Sequence, residues 1–313
     1  MPAPWPIVFM GTPGIAAATL AELVEGPDRI VGVITQPDRP SGRGQQTTPS
    51  PVRKYAESRG IPVVGPEKIR TVEFHDLLRK WQPEIIVVVA YGRILPKTVL
   101  ELPPRGCVNV HYSLLPKYRG AAPAAWTIIN GETEGGVTTM QLVEKMDAGG
   151  IYLQEKISLA PDETTGSLQE KLTPIGARLL LETLRRLKEE SLAPTEQDES
   201  QATLAPILKK DDGLIVWNRT SIEIERRVRG LDPWPGSFTH LNSKLLKIHR
   251  AKIISSELTA SPGEIVKADN DGFWVASGSD VIALEEVQFE NKKRLPGGEF
   301  IKGARIKTGD RLG

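Results

Sequence analysis

The chain has 313 residues, of which 39% are hydrophobic and 25% charged, with a formal net charge of +1. That length suits two domains, and the balanced charge excludes a strong overall pull toward nucleic acid or a membrane surface. A single cysteine, Cys107, excludes an intramolecular disulfide and a cysteine-based zinc cluster, and fits a reducing, cytoplasmic compartment.

The N-terminal MPAPWPIVFMG lacks the basic region of a signal peptide. No apolar run reaches the ~20 residues that span a bilayer, so no membrane association is expected. Residues 5–11 predict a buried strand and 15–26 a helix ended by Gly26. A second strand is expected at 30–36. The run EIIVVVAYG at 84–92 is the most apolar in the chain and predicts the central strand. CVNVHYS at 107–113 follows a short helical segment, PKTVLEL. Apolar runs separated by helical patterns predict a parallel sheet covered on both faces, an open α/β fold of Rossmann type. MQLVEKMDAGGIYLQEKISL reads as two extended segments flanking a glycine-rich turn. A long helix is expected over 165–190, interrupted or offset at Pro174.

The texture then changes. Residues 191–206 are polar, contain two prolines and show no periodicity, which predicts an interdomain linker. It separates a first domain, 1–190, from a second, 207–313. TSIEIERRVRGL predicts one helix with Thr220 or Ser221 as N-cap. Short strands with turn signals follow, among them NDG at 270–272, and predict a small β-barrel.

Few sites in this sequence have the makings of chemistry. MGTPG at 10–14 opens the first helix, where a helix N-terminus could hold an anion. Its glycines do not form G-x-G-x-x-G, and no acidic residue ends the second strand, so a dinucleotide site is poorly supported. A tight strand-to-helix turn explains it equally well. The histidines, His75, His111, His240 and His249, lack ligand spacing, so no metal site is expected.

VNVH at 108–111 is different. Strand alternation turns Val108 and Val110 to one face, and Asn109 and His111 to the other. A central strand of such a sheet has apolar faces. An amide and an imidazole together at its carboxyl end mark the crevice where open α/β sheets bind ligands. Histidine titrates nearest working pH, and an asparagine amide can donate to a developing oxyanion. A carboxylate is needed to orient the imidazole. Asp147, in MDAGG, is the best placed because the following glycines allow close approach; by spacing alone Glu144 competes.

NVHYSLLPKYRGAAPAAWTIINGE followed by MDAGG resembles the formyltetrahydrofolate-dependent transformylase family, in which Asn and His two apart, then S-L-L-P, then a distant Asp form the active site. Further likeness, in FMGTPG, QPDRPSGRGQ, VVVAYGRILP and LDPWPGS, runs to the methionyl-tRNA formyltransferases and spans nearly the whole chain. The loop MGTPGIA departs from many relatives at Gly14. The resemblance implies transfer of a formyl group from 10-formyltetrahydrofolate, a consumed cosubstrate and no tightly bound cofactor, to the amino group of methionine on initiator methionyl-tRNA. It assigns Asn109, His111 and Asp147 to catalysis. Ser113, Leu114, Leu115 and Pro116 are assigned to the folate site. The second domain becomes an OB-like β-barrel that binds tRNA. A monomer is expected.

The segment 39–51, RPSGRGQQTTPSP, is too rich in polar residues, Pro and Gly to predict a helix or strand. From its residues alone it reads as a surface loop. The resemblance makes it the loop that meets the tRNA acceptor stem, with Arg43 as its reading residue, since a guanidinium fork bonds bases or phosphates in pairs.

Overall fold

The chain divides into two units. The computed structural model describes residues 3–41, 46–255, 260–270 and 272–313. Unit 1 runs to Pro123 and takes in Glu134–Ser158 and Gln169–Pro206; unit 2 comprises Ala124–Thr133, Leu159–Leu168 and Ile207–Gly313.

In chain order the elements up to the end of the first sheet are β1 (Pro6–Gly11), α1 (Gly14–Glu25), β2 (Arg29–Ile34), β3 (Arg39–Ser41), β4 (Gln46–Thr48), α2 (Pro51–Ser58), β5 (Val63–Val64), α3 (Val72–Trp81), β6 (Ile85–Val89), α4 (Lys97–Leu100), β7 (Cys107–His111), β8 (Arg119–Gly120), α5 (Pro123–Ile129), β9 (Glu134–Gln141) and β10 (Ile151–Ser158). Then come α6 (Thr165–Lys188) and β11 (Leu204–Ala205). The main sheet has the order β10-β9-β7-β6-β1-β2-β5, so the most apolar strand is indeed central.

The expectation of a parallel sheet holds for β7, β6, β1, β2 and β5 and fails for the other two. β9 runs antiparallel to β7, and β10 antiparallel to β9. For β10 the reason is connection length: residues 142–150 are too few for a crossover helix, so the chain must reverse after β9. Val8, Met10, Ile34, Ile86, Val88 and Cys107 cover one sheet face together with Phe74 and Leu78 of α3 and Val99 and Leu100 of α4. α6 covers Val110 and Val137 on the other face; a Cβ built on Gly176 would lie 3.0 Å from Val110 Cγ1.

Local signals account for the helix starts. Ser50 Oγ accepts from Arg53 N at 3.0 Å with Pro51 at the first position of α2, and Thr71 caps α3. α6 is not interrupted at Pro174. One backbone donor is lost there, but the fully buried Leu172, Leu180 and Leu184 keep the helix on the sheet. The 39–51 segment is not irregular either. Arg39 pairs with Thr48 and Ser41 with Gln46 in a short antiparallel hairpin. Its tip, including Arg43, lies outside the described residues.

Unit 2 carries α7 (Ser221–Gly230), β12 (Ser237–Leu241), β13 (Lys244–Ile254), β14 (Ile265–Asp269), β15 (Gly272–Ala276), β16 (Val281–Phe289), β17 (Leu295–Pro296) and α8 (Gly297–Ala304). Thr220 is the N-cap of α7 and forms a capping box with Glu223. The antiparallel order is β12-β13-β16-β15-β14. Among the described residues the two edges are joined by bridges from the chain end, Leu241 with Leu312 and Glu264 with Arg311, and not by a continuous strand. Ile224 and Val228 of α7 and Phe300 and Ile301 of α8 fill the core against this sheet.

The end of α6 is stapled to the start of β2. Lys188 Nζ pairs with Asp28, and the two side chains are 5% and 2% exposed. Asp28 Oδ1 also accepts from Trp5 N at 2.8 Å, and the ammonium lies 5.5 Å from the Trp5 ring centre. Removing one partner leaves a buried, uncompensated charge, which costs about 3–5 kcal/mol. Lys188→Met is therefore expected to lower the unfolding free energy of unit 1, read from chemical denaturation, by that amount, and the midpoint with it. Lys188→Met with Asp28→Leu should recover most of it. A single substitution with no effect on the midpoint contradicts the staple.

Candidate active site

Along β7, alternation puts Cys107, Asn109 and His111 on one face. Cys107 is sealed among α4 residues, and burial pushes its thiol up to about 12, so it is inert as a nucleophile. Toward the strand's carboxyl end the face turns polar. Asn109 is 8% exposed and His111 5%. The Asn109 amide makes no hydrogen bond to protein among the described residues, and its polar atoms are not sealed in, so it is free to bond a ligand.

His111 is fixed from two sides. Its Nε2 lies 2.8 Å from the Tyr118 carbonyl oxygen, which can only accept, so Nε2 carries the hydrogen. Its Nδ1 faces Asp147 Oδ2 at 3.8 Å, longer than a hydrogen bond and within reach of an ion pair. The same Oδ2 accepts from Gly120 N at 2.8 Å. Glu144, the competing carboxylate, is exposed to solvent. Asp147 is thus the carboxylate beside the imidazole.

Asp147 reaches this place through an unusual backbone. Its φ is +48°, in the left-handed region that Asp tolerates better than most side chains. Two residues on, a Cβ at Gly149 would lie 1.9 Å from the Gln141 carbonyl oxygen, so only glycine allows the approach. Gly149 is thus the glycine whose missing side chain lets the chain after Asp147 pack against the end of β9.

The SLLP turn is held by its own groups. Ser113 Oγ donates to Lys117 O at 2.7 Å, and Thr138 Oγ1 donates to Ser113 O at 2.6 Å. Thr138 Oγ1 accepts from Leu115 N, and Gln154 Nε2 donates to Leu115 O at 2.8 Å. Ser113 and Leu115 are buried, while Leu114 and Pro116 are half-buried and keep apolar surface for a ligand. The Ser113 hydroxyl serves the turn. Arg43 is not part of this geometry, because it lies outside the described residues.

Residues 191–206 hold several groups that sequence patterning missed. They run along unit 1 as a strap: Ile151 and Thr195 exchange backbone hydrogen bonds at 2.8 Å, and β11 pairs with β8. Arg119, 4% exposed, donates to Gln197 Oε1 and to both oxygens of Glu199. Lys145 Nζ reaches Glu199 at 2.7 Å. Nothing in the sequence pattern singles out Arg119, which stands two residues after another cation, Lys117. Among the described residues, no group of three or more His, Cys, Asp or Glu gathers as a metal site. No helix among them is long and apolar enough to cross a membrane.

Hydrogen bonds from Arg119 and Lys145 hold the Glu199 carboxyl at about 2, against an ordinary 4.5. A carboxyl lowered on folding stabilises the fold above its ordinary value, and that stabilisation is lost as pH falls through the lowered one. Between pH 4.5 and 2 the melting temperature of Glu199→Gln should therefore fall less steeply than that of the parent chain. Parallel curves would show that the ion pair does not act in the folded state.

Comparison with known proteins shows the family of the chain. Residues 6–184 match the family described as formyl transferase, and residues 207–305 match the formyl transferase C-terminal domain. The strap lies in neither match. The chain is 49% identical over 300 residues to a methionyl-tRNA formyltransferase of Desulfotalea psychrophila, covering 96% of this chain and 93% of that protein. A methionyl-tRNA formyltransferase of Citrifermentans bemidjiense is 48% identical over 307 residues, covering 98% and 96%. Solved structures share the fold at lower identity. The N-formyltransferase of Helicobacter canadensis, solved with folinic acid and dTDP-3-aminofucose, superposes with a TM-score of 0.66 at 19% identity, covering 91% of this chain and 99% of that one. HypX of Aquifex aeolicus with tetrahydrofolic acid gives 0.65 at 18% identity; it covers 99% of this chain, which spans 50% of that longer protein. On the extent of these matches, the chain belongs to the formyl transferase family.

Proposed function

We propose that this chain transfers the formyl group of 10-formyltetrahydrofolate to the amino group of methionine on initiator methionyl-tRNA. The observation that carries the reading is an uncommitted amide, Asn109, beside an imidazole whose Nδ1 faces a carboxylate at 3.8 Å. It is supported by relatives named methionyl-tRNA formyltransferase that match along nearly the whole chain.

In this reading the methionyl amine attacks the formyl carbon. A C–N bond forms, and the carbonyl oxygen becomes an oxyanion. Asn109 donates to that oxygen, as does His111 through the Nδ1 edge when protonated. One well-placed donor of this kind is worth about 2.7–4 kcal/mol. Asp147 accepts the proton that the amine must lose, directly or through His111, and the bond from carbon to the folate nitrogen breaks as that nitrogen gains a proton. Leu114 and Pro116 offer apolar surface to the folate ring system. The exposed Lys247, Arg250 and Lys252 of β13 support phosphate contacts from unit 2 to the tRNA.

The test is single-turnover formylation with labelled 10-formyltetrahydrofolate, with methionyl-tRNA present or replaced by free methionine. Label should enter methionyl-tRNA alone. Asn109→Ala and His111→Ala should each keep the fold and lower kcat by roughly a hundred- to a thousandfold. Near-parent turnover in either variant removes that residue from the mechanism. Label in free methionine at an equal rate removes the tRNA substrate.

A further inference from the structure

Within the loop itself one backbone bond, Ala148 N to Lys145 O at 3.3 Å, braces the turn around Asp147. Its neighbours Val143, Glu144, Lys145 and Met146 are all exposed. What holds the carbonyls on either side of Ala148 is one side chain from the strap. Gln197 Nε2 donates to the Asp147 carbonyl at 2.9 Å and to the Gly149 carbonyl at 2.7 Å. Both hydrogens of one amide thus clamp the two residues that flank Ala148. The other end of the amide is occupied as well, because Gln197 Oε1 accepts from Arg119 Nε at 3.0 Å and Nη2 at 2.8 Å.

The bonds close into a ring. Arg119 is followed by Gly120, whose N–H holds Asp147 Oδ2 at 2.8 Å. Asp147 is therefore gripped at its carboxylate by the Arg119–Gly120 backbone and at its carbonyl by Gln197, which the Arg119 side chain orients. The Tyr118 carbonyl, one residue earlier, holds His111 Nε2 at 2.8 Å. One short segment, 118–120, thereby sets the imidazole, the carboxylate and the glutamine relative to one another. An uncharged amide bonded on all sides has nothing to offer the reacting atoms. Its effect is on geometry, and an error of about 1 Å at a reacting group can cost roughly a hundredfold in rate.

We infer that Gln197 is a positioning residue for Asp147, itself held by the buried guanidinium of Arg119. The inference rests on the reading of His111 and Asp147 as the acid–base pair. It makes the strap, which lies outside both family matches, part of the catalytic machinery.

The test uses the full-length chain with Gln197→Met, which keeps length and loses every hydrogen bond, and Gln197→Glu, which keeps the acceptor for Arg119 and loses the two donors. Both should lower kcat at least tenfold and leave KM for 10-formyltetrahydrofolate and for methionyl-tRNA within about twofold, the pattern of lost alignment and not of lost binding. In an Asp147→Asn background the same substitutions should lower kcat no further. Gln197→Glu serves alone if Gln197→Met does not fold. Unchanged kcat, a change confined to KM, or an equal fold-loss in both backgrounds overturns the inference. If Asp147→Asn itself keeps full turnover, the acid–base reading falls, and the positioning role falls with it. If Asp147→Asn loses turnover and the Gln197 variants do not, the positioning role alone falls.

Discussion

Everything proposed for this molecule depends on a carboxylate being brought to within 3.8 Å of an imidazole that lies on a different strand. His111 ends β7, and Asp147 belongs to the connection after β9. Sheet register brings His111 opposite Thr138 but does not by itself bring Asp147 back over it. The return needs a left-handed residue, a glycine where any side chain would collide with the Gln141 carbonyl, and a set of hydrogen bonds from outside the loop. Left-handed backbone at a non-glycine residue persists only where the surroundings over-determine it. Here the Gly120 N–H and the Gln197 amide do so.

The arrangement also explains a buried guanidinium. Arg119 is almost without solvent contact, and a buried charge is costly unless its donors are bonded. Among the described residues its guanidinium bonds go to Gln197 and Glu199, which ties a polar, aperiodic stretch of chain to the body of unit 1. The cost of burying the cation is offset by a planar fork that bonds an amide oxygen and a carboxylate at once, which lysine could not do. Asn109 and His111 then have a rigid frame on both sides: the parallel strand β6 on one and the antiparallel strand β9 on the other.

Much of this was legible in the sequence, wherever a period or a steric need leaves a mark. The alternation of VNVH placed Asn109 and His111 on one face, because a strand has a period of two. The glycines after Asp147 signalled a close approach, and the structure supplies the colliding atom. Apolar run lengths identified the central strand and the order of strands and helices. Other features left no mark. Antiparallel pairing of β9 and β10 follows from how the chain reverses, and β-branched runs look alike in either direction. The role of 191–206 was hidden because a segment held by side-chain and single-strand bonds has neither apolar period nor length. Gln197 carries no motif; only its two carbonyl partners reveal it. At 39–51 the composition argued against strand, but a three-residue hairpin arm needs little propensity when its ends are held between β2 and α2.

The central claim is that His111 and Asp147 act as one unit. The most direct measurement is a double-mutant cycle on kcat with His111→Ala, Asp147→Asn and the pair, at saturating 10-formyltetrahydrofolate and methionyl-tRNA. Residues that act as a unit are strongly non-additive. The double variant is predicted to turn over at about the rate of the slower single variant. Losses that multiply, so that the double variant falls by the product of the two single effects, would show that the two groups act independently and would contradict the account.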